Sequence, residues 1–159
     1  MATCPDTGPG EPNNNTQATA FSFGQISDSD GSGKLVCGVV KGADVDWYMY
    51  TGIDGFLSVV DRVFQAWSSD DTVKLCFYFQ CLAGTASFSC NAAKGEQAST
   101  APNGAPGCCV EKTFSLGSYV GPGSSFDCAG VGDDDANVWM SVERINGGEC
   151  VPYALGFHY

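Results

Sequence analysis

Two aspartates one residue apart, Asp44 and Asp46, open the stretch GADVDWYMYTGIDG between Gly42 and Gly55. Carboxylates at that spacing, at the mouth of an aromatic run, suit two kinds of chemistry. They cap backbone N–H groups where a loop turns, or they hold a hard cation there. Two further acidic turns offer the same choice. Asp28-Ser29-Asp30-Gly31 is like part of an EF-hand loop, but Ile26 stands where the first ligand belongs and the last ligand position lacks a Glu, so a plain turn is expected. Asp133 to Asn137 forms another acidic turn that leads into a strand, and the same reading applies.

Catalysis is poorly provided for. A serine or cysteine nucleophile needs a neighbouring base, and the single histidine, His158, falls inside a terminal strand pattern where side chains serve packing or the surface. No G-x-S-x-G, H-E-x-x-H or phosphate-binding loop is present. The many aspartates leave a paired-carboxylate glycosidase open on arithmetic alone, but acidic clusters in turns are usually caps or solvated faces. The expectation is a protein that is not an enzyme.

Nine cysteines remain as reactive groups: Cys4, Cys37, Cys76, Cys81, Cys90, Cys108, Cys109, Cys128 and Cys150. Zinc would call for C-x-x-C-like pairs or nearby histidines, and the chain has neither, so disulfides and an oxidising, extracellular setting are expected. The odd count leaves one thiol over. Cys4, in the flexible opening, is assigned that place as a free or intermolecular cysteine, with a bond to a partner such as Cys37 as the alternative; the other eight are disulfide candidates. Cys108 and Cys109 are adjacent and should bond to different partners, because neighbouring cysteines rarely meet disulfide geometry.

The elements that must position these groups read as strands. Phe21 and Phe23 alternate with small polar residues; Lys34 to Val40 is a second strand; and Asp46, Tyr48 and Tyr50 lie on one face of a third, opposite Val45, Trp47, Met49 and Thr51. Phe56 to Trp67 fits strand or helix by spacing and strand by composition. In Lys74 to Leu82, Leu75, Phe77, Phe79 and Cys81 share a face opposite Cys76, Tyr78 and Gln80, so both faces are expected to be covered. Cys90 to Cys109 reads as a long polar loop held by the cysteines at its ends. Val110 to Leu116, Val138 to Val142 and Tyr153 to Tyr159 supply further strands. No amphipathic helix is evident. The fold class is therefore all-β, an antiparallel β-sandwich of about eight or nine strands braced by disulfides.

Residues 1–16, rich in Pro, Gly and Asn, are expected to form a linker or N-terminal segment of a piece cut from a longer protein, with residues 17–159 as a single sandwich domain. No apolar run is long enough for a transmembrane segment. Eighteen acidic against seven basic residues give a net charge of −11, which repels phosphate backbones and argues against nucleic acid as a partner.

Ordered landmarks at both ends carry a resemblance: Glu11-Pro12-Asn13-Asn14-Asn15-Thr16, a glycine-rich first hairpin, Asp44-Val45-Asp46-Trp47-Tyr48, then Trp139-Met140-Ser141-Val142 and Tyr153-Ala154-Leu155-Gly156-Phe157. Together they resemble the bacterial pre-peptidase C-terminal domain, a small jelly-roll sandwich appended to secreted proteases and other exported proteins. The cysteine-rich middle looks like a disulfide-laden branch of it, as in myxobacterial-type exported proteins. The resemblance implies a calcium ion held by Glu11, Asn13 and Asn14 of the opening segment with Asp46, and with Asp44 as a replacement ligand. Pro9, Asn14 and Ala43 stand where the family has acidic residues, so the implied site is short of charge. The expectation is a loop cap with at best weak calcium binding.

The function expected is that of a non-catalytic accessory module of a secreted or cell-surface bacterial protein, binding an extracellular polymer or protein or spacing a neighbouring domain. Two alternatives are a carbohydrate-binding module stacking sugars on Trp67, Trp139 or tyrosines, and a structural subunit assembling through Cys4 or a terminal strand. The sequence leaves the oligomeric state open.

Overall fold

A computed structural model describes residues 7–28, 33–54, 64–68, 71–115, 118–120, 126–129, 134–146 and 149–159. Within them the chain is all-β, with two 3-10 turns and no α-helix. The strands are β1 (Phe21–Ser27), β2 (Lys34–Lys41), β3 (Val45–Ile53), β4 (Phe64–Ser68), β5 (Val73–Cys81), β6 (Thr85–Ser87), β7 (Gln97–Thr100), β8 (Pro106–Lys112), β9 (Ser118–Val120), β10 (Asp127–Ala129), β11 (Ala136–Arg144) and β12 (Cys150–Phe157). The strands beyond the expected eight or nine are three- and four-residue pieces, β6, β7, β9 and β10, too short to show an alternation in sequence. Residues 55–63, where the expected fourth strand begins, lie outside the described residues, as do 29–32 and 133 of the acidic turns.

A six-stranded sheet ordered β1-β3-β11-β5-β8-β7 faces a four-stranded sheet ordered β2-β12-β4-β9. Alternation decides which side chains meet between them. Tyr48, Tyr50, Phe77, Phe79, Val138 and Met140 of the larger sheet form one buried cluster with Val36, Val40, Val151, Tyr153, Leu155 and Phe157 of the smaller. Aromatic pairs cross the interface: Tyr50 stacks on Phe157 at 5.2 Å, and Phe23 meets the same ring edge-on at 5.2 Å. The pairing is antiparallel throughout except that β1 runs parallel to β3, Phe21 opposite Tyr48, so the expected all-antiparallel sheet is corrected at that edge.

The outer face of the large sheet is covered as well. Trp47, Cys76, Tyr78, Cys109 and Trp139 pack there under Ala101 and Ala105, with Trp47 stacked on Tyr78 at 5.7 Å. The cover is the stretch 90–109, which is more than the loop expected. It contains β7, which pairs with β8, and β8 starts at Pro106, four residues ahead of the expected Val110, because Cys108 and Cys109 lie in the ladder with β5 and β7. Apolar content of its own is not needed, since its backbone is satisfied by the sheet.

Three disulfides are described: Cys76–Cys109, Cys81–Cys128 and Cys90–Cys108, and Cys150 is also disulfide-bonded. Period-two geometry explains the split of the adjacent pair, with Cys108 in the inter-sheet core and Cys109 on the outer face. Cys37 is a correction. Expected to be bonded, it is a free, exposed thiol, because it alternates with the buried Val36 on β2 and points away from the core, opposite Ala154. Cys4 lies outside the described residues. The disulfides suit an oxidising compartment, and no described helix is long and apolar enough to cross a membrane.

Candidate metal centre

Before β1 the chain does not run free. Thr7 bridges Val39 of β2, tight turns join Glu11 N–H to Gly8 O (3.4 Å) and Asn13 N–H to Gly10 O (2.9 Å), and Trp47 N–H donates to Asn14 O (2.8 Å). From Thr7 onward the segment expected as a linker is thus pinned across both sheets, at the entrance to β3. The turn feeding β3 is fixed from the other side: Gly42 takes a left-handed φ of 59°, Arg144 Nε donates to its carbonyl (2.9 Å), and Asp44 N–H donates to Lys41 O (3.0 Å).

These two fixed pieces bring three carboxylates together. One oxygen from each of Glu11, Asp44 and Asp46 lies within 4.8 Å of the others, Glu11 and Asp44 half-buried and Asp46 fully buried. Asp46 does not cap the loop as expected. It faces inward with Tyr48 and Tyr50, its Oδ2 accepts the Tyr153 hydroxyl, and its buried Oδ1 receives no donor, while the protonated carboxyl hydrogen-bonds to Glu11. The amide of the opening segment buried here is Asn14, whose Oδ1 also lacks a partner; Asn13 is exposed. By contrast Asp134 and Asp135 act as plain turn residues, their carboxylates accepting the N–H groups of Cys128 and Asp54 at 2.7 Å.

A phenol relay backs the cluster, and the sequence reading missed it. Tyr153 has one proton and gives it to Asp46, so in the 2.5 Å contact between the hydroxyls of Tyr48 and Tyr153 the donor is Tyr48. Tyr48 in turn interacts with the Asn14 side chain. Burial raises both phenols above the usual tyrosine range, so they remain donors. Burial, with the neighbouring Glu11 and Asp44 charges, pushes the Asp46 carboxyl up to about 8, while the Tyr153 hydrogen bond pulls the other way. Gly38 makes room for the relay. It lies opposite Tyr153 in the β2–β12 ladder, and a Cβ there would fall on the phenol. Gly38→Ala should cost about 1–3 kcal/mol in denaturant unfolding; a variant as stable as the parent would show that Tyr153 is not held where described.

Three clustered carboxylates with a buried amide oxygen form a hard, all-oxygen donor set, the kind that suits calcium and not zinc. A bound divalent cation would give the orphaned Oδ1 atoms of Asp46 and Asn14 a partner and offset the repulsion among the acids. Asp44 and Asp46 are thus brought together with Glu11; Asn14 is buried nearby, its side chain against Tyr48 and the Pro9 carbonyl, and Asn13 is exposed. No protein-family model matches the chain, and no curated protein matches it in sequence.

Proposed function

We propose that the chain is a non-catalytic, disulfide-braced accessory module of an exported bacterial protein, related to the pre-peptidase C-terminal domain and stiffened by calcium. The observation that carries this reading is the convergence of the carboxylates of Glu11, Asp44 and the buried Asp46, with Glu11 more than thirty residues from the two aspartates. Glu11, Asn14, Asp44 and Asp46 would hold the ion. Its chemistry there is structural: it neutralises the acids and ties the N-terminal segment to the start of β3. A module bound at one end to a larger protein gains from such a tie, because the segment that leads into it cannot peel from the sheet edge.

Support for a binding or spacing role also comes from the placement of the polar chemistry. The single imidazole, His158, lies beyond the end of β12, and the described acidic pairs are engaged in turns or in the buried cluster. Peptide, ester and glycoside substrates should therefore give background rates. Calcium at a hundredfold excess over its dissociation constant should raise stability by about 2.7 kcal/mol, or about 5–10 °C in thermal midpoint. A midpoint indifferent to calcium would remove the metal from this account, and turnover lost on changing one aspartate would remove the accessory role.

A further inference from the structure

The outer face of the large sheet carries a cleft of about 650 Å³ floored by Trp47 and Trp139. One wall is the segment 15–18 and the other is the turn at Pro102 and Asn103. The size lies within the roughly 300–1,000 Å³ typical of small-ligand sites. The indoles sit on adjacent strands, Trp47 opposite Ser141 and Trp139 opposite Met49, so they share one face as diagonal neighbours. Each is 8% exposed, which leaves a strip of indole at the bottom of a groove.

Gln17 adds an independent sign of a ligand. Its side chain is buried to 8% exposure and held by one atom only: Oε1 accepts Asn103 N–H at 2.8 Å, while Nε2 is buried in the cleft wall without a hydrogen-bond partner. A buried amide donor left unsatisfied costs about 1–3 kcal/mol. A ligand acceptor in the cleft would recover that cost once a rotation of the Gln17 side chain turns Nε2, which is closed off in the free protein, toward the cleft.

We propose that this cleft binds a neutral glycan, with the apolar face of a sugar ring on the Trp47–Trp139 floor and a hydroxyl or ring oxygen accepting from Gln17 Nε2. The remaining polar groups on the walls, Asn15, Thr16 and Asn103, are amides and a hydroxyl, which pair with sugar hydroxyls in either direction. Among the described residues no charged side chain lines the cleft, and the net charge of −11 opposes acidic polymers. A peptide is less suited. The floor lies within the sheet, where β3 and β11 backbone groups are already paired, so no edge is offered to an added strand. Among the aromatics expected to stack on sugars, Trp139 is placed here; Trp67 is half-buried on the opposite outer face beside Ala154, and Tyr48, Tyr50, Tyr78, Tyr153 and Tyr159 are buried.

The inference rests on the reading of the chain as a non-catalytic binding module, and the test separates the two. With calcium present, the intact protein is titrated calorimetrically with cellohexaose, chitohexaose, mannohexaose and maltohexaose, with polygalacturonate as an acidic control and a proline-rich peptide as a protein-type control. At least one neutral hexasaccharide should bind with a dissociation constant of ~1 mM or tighter. Gln17→Glu keeps the acceptor for Asn103 N–H and removes the donor, and Trp139→Phe keeps an aromatic in the sheet; each should weaken binding about tenfold or more in a protein that still unfolds cooperatively, at a midpoint lowered by the buried carboxyl or the lost indole volume. No binding by any of the four sugars, binding unaffected by Gln17→Glu, or capture of the acidic polymer or the peptide in their place would overturn the glycan assignment. Slow cleavage of a bound sugar would count against the module reading and leave the cleft standing.

Discussion

Reduction with dithiothreitol should lower the thermal midpoint of this protein by roughly 20–30 °C. The bridges Cys90–Cys108, Cys76–Cys109 and Cys81–Cys128 span 18, 33 and 47 residues, and each should contribute about 2–4 kcal/mol by limiting the unfolded chain. A domain of this kind is stable by only about 5–15 kcal/mol in total, so losing three bridges removes most of the margin. The effect should be concentrated in the cover over the outer face. Cys76–Cys109 joins β5 to β8 and Cys90–Cys108 ties residue 90 to β8, and together they hold the stretch that buries Trp47 and Trp139. Tryptophan fluorescence should therefore shift red on reduction. A midpoint unmoved by reductant, with most thiols titrating in the native protein, would contradict both the bracing role and the oxidising setting.

The second large effect is on pH dependence. Asp46 titrates near 3.8 in the unfolded chain and is pushed up to about 8 in the fold. Below the lower value both states hold the proton and no penalty arises. Between the two values only the folded state holds it, so stability falls as pH rises, and above about 8 the whole penalty is in place. The groups facing Asp46 are the carboxylates of Glu11 and Asp44, which sharpen the penalty, and the hydroxyl of Tyr153, which softens it. In chelator, the thermal midpoint should drop steadily from about pH 5 to about pH 9. Calcium, which binds the deprotonated cluster, should flatten that slope. Asp46→Asn should flatten it too, and without calcium, because the buried group no longer ionises. A chelated wild-type protein equally stable at both ends of the range would mean that Asp46 is not buried among acids.

Much of this fold is legible along the chain because alternation survives wherever a strand has one face in the core. Asp46, Tyr48 and Tyr50 fall inward as their spacing predicts, and so do Val138, Met140 and Val142. Alternation gives faces and not partners. Nothing in residues 21–27 shows that β1 would pair with β3 in parallel. Nor does the composition of 90–109 show a strand, because its order comes from the β8 ladder and two disulfides, and its buried apolar side chains besides the cysteines are only Ala101 and Ala105. Cys37 was misplaced for a related reason: counting cysteines says how many can pair, while the pleat of β2 decides which one faces out.

The metal centre was legible in part. Its carboxylates stand out by type, but Glu11 and Asp46 lie in separate segments and only the resemblance joined them. The cap expected at Asp46 failed because an inward position on a strand takes the side chain away from the loop's N–H groups. Tyr48 and Tyr153 gave no signal as site residues, since an aromatic in a strand reads as core, and both are core as well as hydrogen-bonded to the site.

The most direct test is a calorimetric titration of the chelator-stripped protein with calcium at about pH 7, run in two buffers of different ionisation enthalpy. Saturable one-to-one binding is expected, with proton release that makes the observed heat differ between buffers, since Asp46 is largely protonated below its raised pKa of about 8. Asp46→Asn should abolish the binding while leaving a folded protein. Absence of heat at millimolar calcium, or an affinity unchanged in Asp46→Asn, would contradict a cation held between the N-terminal segment and β3.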